Sequence, residues 1–237
     1  MKRRQAGFNL VSLMVGTVIS MIGILAMLTI YKNLVGVSVE TLQHARQDGQ
    51  VTAGLLTAER ELANAGFRIE SAAVGTHLML LSGAALSGGS LSGTLQNANI
   101  PTLSATATGG ATGNALVWSY KSSATATATC VGLLINASSG TISRLQGASG
   151  CTQASQWGST TWTAAQLVAA GQATSSFSAR YTACWPYGKT GDATVSAANR
   201  LQVSLIANTS TTDTSAQGTY LKNQSTVCLP NFVKAAS

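Results

Sequence analysis

From Gln5 to Tyr31 the chain carries no charged residue, and Phe8 to Tyr31 is a run of 24 mostly apolar positions. As an α-helix at 1.5 Å per residue the run would span roughly 36 Å, enough to cross a bilayer hydrocarbon core with some tilt. Lys2, Arg3 and Arg4 precede it, so the short N-terminal tail is expected to stay cytoplasmic while everything after Tyr31 is exported. A secretory signal peptide ordinarily has a shorter apolar region with a small-residue cleavage site behind it. Here the small residue placed like a processing site, Gly7, comes before the apolar run.

Composition narrows the function classes. Of 237 residues 45% are hydrophobic but only 5% aromatic, so a core is affordable but built from small side chains. Charged residues make up 9%. The net charge of +7 owes three of its units to the leader, and the excess that remains is too small to mark a nucleic-acid module. There are two histidines, His44 and His77, and neither is expected to act with a spaced Cys, Asp or Glu partner. Glu59 and Glu61, two apart on a helix, do not face each other; Glu61 is expected at the surface or paired with Arg60 or Arg68. Asp192 and Asp213 stand singly in polar stretches. No nucleophile elbow and no phosphate-cradling glycine loop occurs. The expectation is a non-catalytic protein with no cofactor and no metal.

Helical periodicity continues past Tyr31. Val35, Val39, Leu42 and Ala45, then Val51, Leu55, Ala58, Leu62 and Ala65, recur at steps of three and four, with charged residues largely on the other side. One helix of about sixty residues is expected, stopping near Gly66. Gly36, Gly49 and Gly54 each lower helix propensity by about 1 kcal/mol, so its middle is expected to bend or fray. Its apolar stripe should lie on a β-sheet.

Residues 82–113, rich in Ser, Gly, Ala and Thr, read as a low-complexity surface loop with room for short strands. Strand-like runs follow at Ala115–Tyr120, Cys130–Ile135, Thr141–Leu145, Ser176–Tyr181 and Leu201–Ile206, with a turn at Asn136–Gly140. One N-terminal helix followed by four or five strands is an α+β layout with an antiparallel sheet packed on the helix. Trp118 and Trp185 are expected in the core, whereas Trp157 and Trp162 bracket a polar stretch and are the candidates for exposure.

An exported domain with four cysteines, Cys130, Cys151, Cys184 and Cys228, fits two disulfides. Three connectivities are possible. Cys130–Cys151, closing the hairpin segment, with Cys184–Cys228, tying down the C-terminal tail, is the favoured one. A zinc site would need close ligand pairs such as Cys-x-x-Cys, and there are none.

Gly7-Phe8-Asn9-Leu10-Val11-Ser12-Leu13-Met14-Val15, behind its basic leader, resembles the class III signal of type IV pilins and type II secretion pseudopilins. The resemblance implies cleavage by a prepilin peptidase between Gly7 and Phe8 and N-methylation of Phe8. It also implies a pilin fold, in which a long helix packs on an antiparallel sheet. Further segments resemble the PilW group of minor pilins, relatives of the J-type pseudopilin. These are the helix end Glu61–Phe67, the strand Leu116–Tyr120, Leu167–Gly171 leading to Phe177–Tyr181, and Asn199–Ile206. The chain would then divide into a leader (1–7), a membrane and filament-core helix (8–31), its amphipathic continuation (32–67) and a β-rich periplasmic or extracellular head (68–237). Its implied partners are other major and minor pilins, the prepilin peptidase and the inner-membrane assembly platform. A J-like pseudopilin is the alternative, as is a DNA-uptake or adhesive pilin using Arg180, Lys189, Lys222 and Lys234.

One position departs from the pattern. Most such pilins carry Glu four residues after the methylated Phe, where this chain has Ser12. A hydroxyl can bond to the helix backbone but cannot neutralise a neighbour's terminal ammonium in an apolar bundle. The expectation is a low-copy subunit with a special place in assembly.

Overall fold

The computed structural model describes residues 10–103, 109–168, 176–184, 199–213 and 219–234. Two compact units are distinguished, Met1–Arg46 and Gln47–Ser237. In the first, the described residues belong to α1, which runs from Leu10 to Ala63, 54 residues. Hydroxyls along the apolar stretch fold back onto their own helix. Thr17 donates to the Met14 carbonyl at 2.8 Å, Ser20 to that of Gly16 at 2.8 Å and Thr29 to that of Ala26 at 2.7 Å. These polar groups are therefore satisfied without water, as a helix in a hydrocarbon environment requires.

Among its described residues the second unit contains the last turns of α1 and ten strands in two antiparallel sheets. The larger sheet has the order β2-β1-β4-β5-β6-β7, made of Ser90–Leu95, Leu78–Ser87, Ala115–Tyr120, Thr129–Ile135, Ile142–Gly147 and Trp162–Val168. The smaller has the order β10-β9-β8-β3, made of Thr219–Val233, Asn199–Asp213, Ser176–Ala183 and Ala111–Gly113. The expected α+β layout is thus present, with more strands than the four or five anticipated. Helix α1 ends close to the expected stop, and Gly66 takes a left-handed φ of 68° in the turns that follow.

Alternation along the central strands explains why their sequences read as unbroken apolar runs. Leu78, Leu80, Leu116, Trp118, Val131 and Leu133 face one core, which they share with Val51, Leu55, Ala58 and Leu62 of α1 and with Phe177, Leu201, Val203 and Leu229 of the smaller sheet. Met79, Leu81, Ala115, Val117 and Cys130, on the opposite face, enter a second core with Leu145, Cys151 and Trp162. A strand covered on both sides has no solvent face to mark with polar residues.

The second core needs a cover, and part of it comes from the segment expected to be a loop. Residues 82–95 are not a loop but the greater part of the β1–β2 hairpin. Gly83, at φ 60°, and a register shift between Ser82 and Ala85 bend β1, and Leu91 fills the core. At the hairpin tip Trp162 N–H donates to the Gly89 carbonyl at 2.8 Å, and Ser90 bridges Thr161. Trp162 is 2% exposed and its Nε1–H donates to the Trp157 carbonyl at 2.9 Å. The expectation of exposure is therefore wrong for Trp162, and Trp157 is half-buried against the same core. Long-range pairing, invisible in a Ser/Gly/Thr-rich sequence, decided both points.

Asn114 pins the bend. Its Oδ1 accepts the Ala84 N–H at 2.7 Å, and its Nδ2 donates to the carbonyls of Ala84 at 2.8 Å and Ile135 at 3.0 Å. Asn114→Leu would strand three half-buried backbone groups, and a loss of about 2–4 kcal/mol is expected. The midpoint of urea unfolding measures it; an unchanged midpoint would mean that the side chain does not fasten the hairpin.

Candidate functional site: an exposed apolar helix on a cross-linked head

On α1 the side chains of Leu10, Val11, Leu13, Met14 and their successors through Leu42 are exposed, Leu10 at 73%. The most apolar stretch is long and apolar enough to cross a membrane, and none of it is buried within the protein. A membrane anchor and a signal sequence both meet that description. Ser12 lies on this exposed surface. Gly7 and Phe8 lie outside the described residues. The first charge after the apolar run is Lys32. Beyond it His44, expected to lack such a partner, pairs with Glu40 at 3.5 Å, a solvated pair one helical turn apart.

The helix is fastened into the head by more than its apolar stripe. Glu59 Oε2 accepts from Ser225 Oγ of β10 at 2.7 Å. Glu61 pairs with Arg144 of β6, not with Arg60 or Arg68 as expected. Two residues apart, the two carboxylates reach different sheets. The Arg144 Nε–Glu61 Oε2 distance is 3.1 Å, but Nε lacks hydrogen-bond alignment, so the contact is an ion pair. Arg68 instead lies 5.2 Å from the ring centre of Phe67.

Both disulfides are formed, Cys130–Cys151 and Cys184–Cys228, in the connectivity favoured from sequence. The first lies within the second core and ties β5 to the segment before β7. The second joins the residue after β8 to β10.

Among the remaining candidates, His77 Nδ1 accepts the Ala73 N–H at 3.3 Å, and partial burial lowers its pKa, so the neutral imidazole is favoured there. Arg180 Nε donates to Gln202 Oε1 at 2.7 Å and Lys234 Nζ to Thr102 Oγ1 at 2.6 Å. Trp118 is fully buried. Trp185, Lys189 and Asp192 lie outside the described residues, as do the side chains of Asp213 and Lys222. Among the described residues no group of His, Cys, Asp and Glu is arranged to hold a metal ion. Sequence reasoning missed Arg144 and Ser225 as anchors of α1. The only available signal was their place on strands, and nothing in their own segments indicates the helix as partner. No protein-family model, curated protein or solved structure matches the chain.

Proposed function

We propose that this chain is a minor subunit of a type IV pilus, cleaved between Gly7 and Phe8, methylated on Phe8 and used in priming or capping the filament. The observation that carries the reading is α1 itself. Its first half is exposed and free of charge from Leu10 to Tyr31, while Val51, Leu55, Ala58 and Leu62 of the same helix are built into the head. Such a helix can rest in a bilayer before assembly and exchange lipid for neighbouring apolar helices afterwards. Its work is assembly, with the head held in the periplasm and then on the filament. The basic leader supports the orientation, and the two disulfides suit an oxidising compartment.

Ser12 supports the minor role. A filament of many identical copies would repeat the Phe8 ammonium in an apolar bundle with no carboxylate opposite, costing several kcal/mol each time it went unpaired. A subunit used once meets that problem at most once, because its neighbours supply their own carboxylates.

Intact-mass measurement of the mature protein tests the processing. The expected product begins at methylated Phe8, and Gly7→Glu should abolish cutting. A product still bearing Met1–Gly7, or one cut after Tyr31, would overturn the pilin reading. Deletion should reduce filaments although the protein is scarce in them; loss of protein secretion without loss of filaments would favour the J-like pseudopilin. Ser12→Glu should raise the amount of this subunit in purified filaments, and unchanged abundance and piliation would remove the argument from Ser12.

A further inference from the structure

Among the described residues the two sheets present four edges, those of β2, β7, β10 and β3. An unpaired edge is a row of N–H and C=O groups that invites another strand, and proteins ordinarily blunt it. Three of these edges are blunted. Strand β3 has three residues. Strand β10 carries Lys222 and Pro230, with register shifts at Tyr220/Lys222 and Leu229/Val233. Strand β2 pairs across the Ser82/Ala85 irregularity and holds Gly93 at φ 155°.

Strand β7 has one such device, a register shift between Gln166 and Val168 at its far end, and none before it. Trp162-Thr-Ala-Ala-Gln-Leu-Val168 contains no charge and no proline, and its register with β6 is regular from Trp162 to Gln166. Thr163, Ala164, Ala165 and Gln166 are all exposed. Trp162 N–H points away from β6, to Gly89, so by strand alternation Ala164 and Gln166 present their backbone groups on that same outer edge. Among the described residues no backbone group pairs with them there.

Clefts adjoin this edge. One, of about 840 Å³, is lined by Ala164, Ser143 and Leu134, with Ser82 and Ala84 of β1 among the facing residues. The other, of about 430 Å³, separates Gln166 and Leu167 from Gln50, Gly54 and Thr57 of α1. Among the described residues none lining either cleft is charged.

We propose that β7 is a docking edge that accepts an extended, uncharged segment of a different partner subunit as a seventh strand of the larger sheet. Backbone hydrogen bonds to Ala164 and Gln166 hold the segment, and its alternate side chains enter the adjoining clefts. The walls are Ser, Thr, Asn, Gln and aliphatic groups, so small aliphatic, hydroxyl and amide side chains fit. A Lys or Glu would be stripped of water with no opposite charge to meet it. The choice of another subunit over a second copy rests on the low-copy reading above; the open edge does not depend on cleavage at Gly7.

Photo-crosslinking in the native cell, with benzoylphenylalanine replacing Thr163 of the full chain, tests this. The expected adduct joins β7 to an uncharged stretch of another membrane-anchored subunit, identified by sequencing the cross-linked peptide, while the same probe at Thr94 of β2 yields little. Ala164→Pro removes the outward N–H without taking a hydrogen bond from the pairing with β6, and Ala164→Lys keeps it but puts a charge into the larger cleft. Either should cut the adduct by about tenfold or more with both disulfides still formed. No adduct at Thr163, equal adduct at Thr94, adducts between two copies of this chain, or a yield indifferent to both substitutions would each overturn the proposal. Processing at Gly7 is read from the mass of the same sample, so an uncleaved chain that still forms the adduct defeats the pilin reading and leaves the edge standing.

Discussion

With all four half-cystines replaced by alanine, the head is expected to be largely unfolded at growth temperature. The two cross-links span 21 and 44 residues. Loop-closure entropy assigns them about 3 and about 4 kcal/mol, against a total stability of roughly 5–15 kcal/mol for an ordinary domain. The core cannot easily make up the difference. Most of its large members are Leu, Val and Ile, with Trp118, Trp162, Phe177 and Phe232 the only fully buried large aromatics among the described residues. Removing Cys130–Cys151 also empties volume inside the second core, where both residues are buried, so that pair is expected to cost more than its shorter loop alone suggests. Thermal unfolding of the full chain in detergent, with each pair removed separately and then both together, measures the effects. A reduced head that melts within a degree or two of the oxidised one would show that the bridges do not hold the fold together.

Gly54→Ala is expected to destabilise the head by about 1–3 kcal/mol, although alanine favours helix by about 1 kcal/mol over glycine. Gly54 lies where α1 passes β7. A Cβ there would overlap Val168 Cγ2 and lie 3.3 Å from the Leu167 carbonyl oxygen. A β-branched side chain has little freedom to swing aside. Val168→Ala alone should also destabilise, by cavity formation, but in the double variant the added methyl group occupies part of the space vacated. The two losses should therefore be strongly sub-additive in denaturant unfolding. Full additivity would mean that the two residues do not meet. By contrast Gly36 and Gly49 have open space around an added Cβ, and alanine at either should be neutral or slightly stabilising.

Gly54 also shows where sequence reading stops. From propensity alone it is one of three glycines that weaken the middle of a helix. Its neighbour Val168 stands more than a hundred positions away, and only the packing makes the absence of a side chain a requirement. The same holds for Glu61. Local spacing offered Arg60 and Arg68, but the partner is Arg144 on β6, chosen by which sheet the helix lies against. The hairpin formed by β1 and β2 was hidden for a different reason. Its second strand alternates Ser, Gly and Thr with a few leucines, a composition shared with irregular loops, and its order comes from pairing with β1 and from Asn114 and Trp162 at a distance.

Four features were legible in the sequence by itself because each can be read without knowing which segments meet. The length of a charge-free run sets the apolar helix. The period of its continuation predicts helix up to the turns around Gly66. The unbroken apolar runs at Ala115–Tyr120 and Cys130–Ile135 mark buried central strands, and an even set of well-separated cysteines indicates cross-links. What covers the second face of the larger sheet, which strand edge the described residues leave open, which glycine must stay bare and which cation meets Glu61 were decided only in the tertiary structure. Those are relations between segments brought together by burial and strand pairing, and no window of neighbouring residues contains both partners.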